Sequence, residues 1–183
     1  DDNPVVRLAE AITKIGSTRL PWHPSEESKR FLEGFAKPDG AIATYLAGCL
    51  ANEMVGPRLL QVGVSDASKR KSLEAISRNT ANPTRILSEN PINVIPSQAS
   101  VEIDGRLAPG QTAADLIREL KEITDGILGS KGTYEVIHES PAISFPPDTP
   151  LFQEMTKGLT KADPEAIVVP SIIPGFTDSR NYA

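Results

Sequence analysis

The chain has 183 residues, 39% of them hydrophobic, and a formal net charge of −5. That length suits one large domain, or one domain and part of a second. The acidic balance argues against a nucleic-acid partner, which needs clustered Lys and Arg, and no apolar run approaches the roughly 18–20 residues of a membrane-spanning helix. The longest basic run, Lys69-Arg70-Lys71, reads as the solvated face of a helix. A single cysteine, Cys49, excludes an internal disulfide framework and a multi-thiolate zinc site. Asp1-Asp2-Asn3-Pro4 lacks the basic-then-apolar pattern of a secretory leader, and the expected setting is reducing and cytoplasmic.

In chain order, Asn3-Pro4 suits a helix start, Asn as cap and Pro in the first turn. Val5, Leu8, Ala9, Ile12 and Ile15 then share one helical face, and Gly16 is expected to close the helix. Leu20-Pro21-Trp22-His23-Pro24 is a stiff connector. Ser25, Ser28 and the intervening Glu26-Glu27 mark a second helix with Phe31, Leu32 and Phe35 inward. Pro38-Asp39-Gly40 is a turn, and Ala41 to about Met54 is an apolar helix that Gly56-Pro57 breaks. A short helical turn over 58–64 and a helix from Asp66 or Ser68 to about Ile76 complete a helical stretch over 16–76.

The pattern then changes. Thr80–Leu87 reads as a strand interrupted by Pro83. Asn93–Leu107 reads as one long bulged strand, with Val101, Ile103 and Gly105 alternating against Glu102, Asp104 and Arg106. After Pro109-Gly110, Thr112 caps an amphipathic helix over Ala113–Leu128, with Leu116, Leu120, Ile123 and Ile127 buried. Thr133–His138 alternates as a strand. Helix, strand, strand, helix, strand is the order of an α+β sandwich with helices on one face of an antiparallel sheet. A strand before Asn3 would make it a ferredoxin-like βαββαβ unit. The proline-rich segment 141–150 is the best domain boundary. A helix over 151–161 and an apolar strand, Ala166–Val169, follow it, and these last 33 residues read as an incomplete return into another domain.

Two polar clusters carry chemistry. Asn93-Val94-Ile95-Pro96 with Asp104-Gly105-Arg106 offers an amide and a guanidinium, both suited to a carboxylate or an oxyanion. A guanidinium fork gives a carboxylate two parallel, charge-assisted hydrogen bonds. The second cluster is Gly175-Phe176-Thr177-Asp178-Ser179-Arg180. Each residue also has a structural reading. Asn93 could satisfy backbone groups at the Pro91–Pro96 bend, Arg106 could pair with Glu102 or Asp104 on the sheet surface, and Asp178 could cap a following helix. His23 and His138 read as structural or solvent-facing.

These motifs, with Asp2-Asn3-Pro4-Val5-Val6 and Phe145-Pro146 to Phe152, resemble in order the dinuclear zinc exopeptidases and amidohydrolases. That family includes glutamate carboxypeptidase, acetylornithine deacetylase, succinyl-diaminopimelate desuccinylase, aminoacylase and carnosinase. The resemblance implies a dimerisation (lid) domain over 1–140 with a helical insertion over 16–76, a linker over 141–150, and the start of a returning catalytic α/β segment over 151–183. It implies a homodimer formed through the lid, and a peptide or N-acyl-amino-acid substrate. In the parent enzyme it implies two zinc ions about 3.5–4 Å apart sharing a hydroxide, with a glutamate as general base. It makes Asn93 a substrate contact and Arg106 a clamp for the substrate carboxylate, and it sets Gly175, Thr177, Asp178 and Arg180 along the cleft.

The family's metal ligands and its Glu-Glu base motif have no counterpart here. The only adjacent pair, Glu26-Glu27, starts a helix. This polypeptide alone is therefore expected to bind no zinc and to be inactive. The alternatives are a freestanding βαββαβ interaction or small-molecule-binding module, for which residues 151–183 would be superfluous, and an RNA-binding sheet. An aromatic content of 5% and the acidic balance disfavour the latter.

Overall fold

Capping side chains set most helix starts. α1 (Pro4–Ser17) begins where Asn3 Oδ1 accepts from the Val5 amide at 3.0 Å, satisfying a donor the helix cannot. α2 (Glu26–Ala36) opens on a reciprocal box in which Ser25 and Ser28 each accept from the other's amide at 3.0 Å. A 3-10 turn at Lys37–Asp39 leads through Gly40, at φ +99°, into α3 (Ala41–Leu50). A side chain at Gly40 would be strained in that conformation. α4 (Gly56–Gly63) carries Pro57 in its first turn. α5 (Ala67–Ala75) is capped by Asp66, whose Oδ1 accepts from the amides of Ser68 and Lys69 at 2.8 and 3.1 Å.

β1 (Thr80–Leu87) and β2 (Ser100–Arg106) form an antiparallel hairpin, with Thr80 opposite Arg106 and Leu87 opposite Ser100. α6 (Ala113–Leu128) starts on a Thr112–Asp115 capping box, and α7 (Pro150–Ala162) starts on Thr149. This computed structural model describes residues 3–140, 143, 149–173, 175, 177 and 178.

A bulge after Pro83 places Thr84 outside the pairing register. Proline donates no ladder hydrogen bond, and bulges tolerate it. The extra residue switches parity. Ala81, Pro83 and Ile86 lie opposite Gly105, Ile103 and Val101, while Thr80, Asn82 and Arg85 lie opposite Arg106, Asp104 and Glu102. One face of the hairpin is thus apolar, with Ala81 and Ile103 packed against the helices and Ile86 exposed, and the other is polar.

Contact grouping divides the chain into two units. The first is Asp1–Pro21, Asn79–Leu107 and Gln111–Pro141. Its core is Ile15, Leu20, Leu116 and Leu120, with Ala81, Ile103, Leu107, Ile123 and Tyr134 packed around them. α1 and α6 lie side by side in this unit, and α1 also packs on the hairpin. The second unit is Trp22–Arg78, Ala108–Gly110 and Ala142–Ala183. Trp22, Leu32, Ala47, Leu50, Leu60 and Ile76 form its core. Trp22 Nε1 donates to the Leu50 carbonyl at 2.9 Å, and its ring lies 4.9 Å beneath the Arg78 guanidinium.

The α+β class holds, with a sheet of two strands among the described residues. Several expected elements differ. The strand expected over Asn93–Leu107 begins only at Ser100. Pro91 and Pro96 remove donors from the approach, and Ile92 and Ile95 face solvent instead of a partner. Thr133–His138 forms no strand. Tyr134 packs there against α6, its hydroxyl bonded to Thr124 Oγ1 and its ring 5.7 Å from Lys121 Nζ. Ala166–Val169 also forms no strand, and Val169 presses on Gly34, where a Cβ would lie 2.5 Å from Val169 Cγ1. Gly16 lies inside α1, which runs one residue further. The α1 face is rotated too, with Ala11 buried and Ala9 exposed. α3 ends at Leu50, before the expected Met54.

Candidate functional site

Arg106 ends β2 on the polar face of the hairpin. Its Nε donates to Asp104 Oδ2 at 3.0 Å, and both side chains are about half exposed. This is the surface pairing open to it on sequence grounds. It engages only one of the guanidinium's nitrogens. Among the described residues the two terminal nitrogens of Arg106 have no protein partner. An arginine held at Nε by one carboxylate presents its outer edge to a second. On the same face Arg85 Nη1 pairs with Glu102 Oε1 at 3.3 Å. Such surface pairs add little stability, so their main effect is on side-chain direction.

Asn93 is exposed in the connection between the strands, within a turn closed by the Val94 amide donating to the Pro91 carbonyl at 3.0 Å. Its side-chain amide has no protein partner among the described residues. Exposed Ile92, Val94 and Ile95 surround it in sequence. Asn93 and Arg106 lie at opposite ends of the hairpin, because Leu87 and Ser100 flank the connection whereas Thr80 pairs with Arg106. At a rise of about 3.3 Å per residue, β2 alone separates the two ends by about 20 Å.

The second cluster belongs to the second unit. Gly175 is an exposed bend, and Thr177 and Asp178 are exposed. Arg180 lies outside the described residues, as do Phe176 and Ser179.

A polar group not anticipated from the sequence is buried behind the Arg106 end of the hairpin. Glu119 of α6 is 3% exposed and Asn79, just before β1, is 1% exposed. Asn79 Nδ2 donates to Glu119 Oε2 at 3.1 Å and lies 3.4 Å from Gln111 Oε1. The signal was present: position 119 follows Leu116 by three, which places an acidic residue on the apolar stripe.

Among the described residues, no group of three or more His, Cys, Asp or Glu is placed to hold a metal ion. The described residues do not fit the pair of zinc ions that the resemblance implies for the parent enzyme, and no step through a metal follows from them. No helix among them is long and apolar enough to cross a membrane. A shallow groove of about 420 Å³ runs along α1, lined by Val6, Ala9, Glu10, Thr13, Lys14, Ser17 and Ile127, and contains none of the expected site residues.

The profile of the peptidase dimerisation domain family matches residues 1–130. Probable carboxypeptidase S-like 2 of Dictyostelium discoideum is 28% identical over 116 residues, which is 63% of this chain and 22% of that protein. No solved structure matches the chain. The family match spans α1, the helical stretch, the hairpin and α6 together. The chain belongs to the M20 family of peptidase dimerisation domains.

Proposed function

We propose that this chain is the lid and dimerisation portion of a zinc-dependent peptidase or N-acyl-amino-acid hydrolase, and that Arg106 binds the substrate's free carboxylate. The observation that carries the reading is the division of the Arg106 guanidinium. Asp104 engages Nε and fixes its direction, while the terminal nitrogens on an exposed polar face are without a protein partner among the described residues. The test is a titration of the isotope-labelled chain with N-acetyl-L-leucine, followed at the Arg106 Nε–Hε resonance. Saturable shifts are expected, and Arg106→Ala should abolish binding with the circular-dichroism spectrum unchanged. Equal binding by the variant would remove Arg106 from the site.

Asn93 is the second contact in this reading. The strand end that leads to it and the one that carries Arg106 are about 20 Å apart, and in this reading Asn93 serves the ligand of a second copy. A two-fold dimer in which each hairpin tip meets the other copy's Arg106 end makes two such sites. The order α1, β1, β2, α6 is the αββα middle of a ferredoxin-like βαββαβ unit, and strands from the rest of a longer polypeptide complete it. Gly175, Thr177, Asp178 and Arg180 border the cleft in this reading. The zinc ligands and the general-base glutamate belong to parts of that polypeptide outside this chain, and the setting is cytoplasmic. The relative's name, and the small share of that protein covered, agree with a piece of a larger carboxypeptidase-like enzyme.

A further inference from the structure

Glu119 breaks the apolar face of α6. Leu116, Leu120 and Thr124 line the buried side of that helix, and Glu119 is buried among them. A carboxylate removed from water is destabilising unless hydrogen bonds replace its hydration. Here Oε2 accepts from Asn79 Nδ2 at 3.1 Å. The same amide nitrogen lies 3.4 Å from Gln111 Oε1, so its two hydrogens have two acceptors. These residues come from three segments that meet at one end of the hairpin. Asn79 precedes Thr80, whose register partner is Arg106, and Gln111 lies five residues beyond Arg106. On β2, Gly105 abuts Leu116, where a Cβ would lie 2.5 Å from Cδ2. α6 therefore holds both strands at this end, by close packing on β2 and by a hydrogen bond to the residue before β1.

We propose that Asn79, Glu119 and Gln111 are positioning residues that fix the strand end carrying Arg106, so that its guanidinium meets a ligand carboxylate already aligned. The network lies on the helix side of the hairpin, opposite Arg106, and acts through the paired backbones of Thr80 and Arg106. An apolar residue at 119 would fill the same space, whereas a donor–acceptor pair restricts direction as well as distance. The inference rests on the reading of Arg106 as a carboxylate clamp.

The test exchanges donor and acceptor in the full chain. Asn79→Asp sets two carboxylates against each other, and adding Glu119→Gln restores a donor opposite an acceptor with its polarity reversed. Two readouts are taken: affinity for N-acetyl-L-leucine at the Arg106 Nε–Hε resonance, and hydrogen exchange of the backbone amides of residues 80–82 and 104–106. The single variant should lose about tenfold in affinity and exchange about tenfold faster at those amides, and the double variant should recover both to within about twofold. A double variant that is folded but unrecovered, or a single variant unchanged in both readouts, would overturn the proposal. If Asn79→Asp does not fold, Gln111→Ala, at a half-buried position, should move both readouts the same way by a smaller factor. No change there would equally refute it. If neither the unmodified chain nor Arg106→Ala binds the probe, the clamp reading has failed. The network is then judged on hydrogen exchange alone, with recovery in the double variant still required.

Discussion

Gly105 sits between two residues that face away from the helices, and its own missing side chain faces Leu116. A Cβ there would come within 2.5 Å of Leu116 Cδ2. Gly105→Ala should therefore displace that leucine and destabilise the chain by about 1–3 kcal/mol in urea unfolding. A cost near zero would mean that Leu116 moves freely. The glycine was legible in the sequence as part of Asp104-Gly105-Arg106, but its packing role was not, because the residue opposite it comes from a helix eleven positions later. The Asp104–Arg106 pair was among the sequence readings, since positions two apart on a strand share a face. Trp22 makes a similar case. Its Nε1 bond to the Leu50 carbonyl is buried, so Trp22→Phe leaves that acceptor unsatisfied and should cost about 1–3 kcal/mol in the same assay.

Two helices depend on carboxylates at their N-termini, Asp66 exposed and Asp115 partly buried. The Asp66 carboxyl is held below its ordinary value of 3.8, mainly by the Lys69 amide and then by that of Ser68. Asp115 is also held below 3.8, mainly by the Thr112 hydroxyl and then by the Thr112 amide. Folding thus favours the charged forms, and their contribution is complete above the unfolded value. It is lost as pH falls below about 4 through the lowered folded values. Acidification from about pH 5 to about pH 2 should lower the protection of the Ser68 and Lys69 amides relative to their intrinsic exchange rates at each pH. Asp66→Asn should flatten that dependence, and an equally steep profile in the variant would exclude Asp66 as its cause. Helices were the most legible elements because caps and apolar spacing are local signals. The expected bounds Ala113–Leu128 match α6. Strands were less legible. Thr133–His138 alternates as a strand would, but alternation supplies no pairing partner, and Tyr134 is held by α6 instead. The run before Ser100 failed as a strand because Pro91 and Pro96 interrupt it. That shortening moves Asn93 from the Arg106 strand to the opposite end of the hairpin.

For the whole molecule, that separation has the largest consequence. In the proposed reading, Asn93 at the tip side of the hairpin and Arg106 at its other end meet one ligand in a pair of chains. The exposed Ile92, Val94 and Ile95 beside Asn93 suit burial in such a pair. Sedimentation velocity should show a dimer at micromolar concentration, whereas monomer alone at millimolar concentration would argue against self-association. The α+β class and the dimerisation-domain family were legible in the sequence. The place of Asn93, in the connection before a strand that starts only at Ser100, was not, because it depends on where that strand begins.

The most direct measurement mixes two inactive copies. Asn93→Ala and Arg106→Ala are each expected to lose N-acetyl-L-leucine binding alone. Co-expressed in equal amounts, they should recover about a quarter of the unmodified binding capacity, because half of the dimers are mixed and each mixed dimer keeps one intact site. Failure of the mixture to bind, with mixed dimers present and each variant folded, would contradict a site shared between two chains.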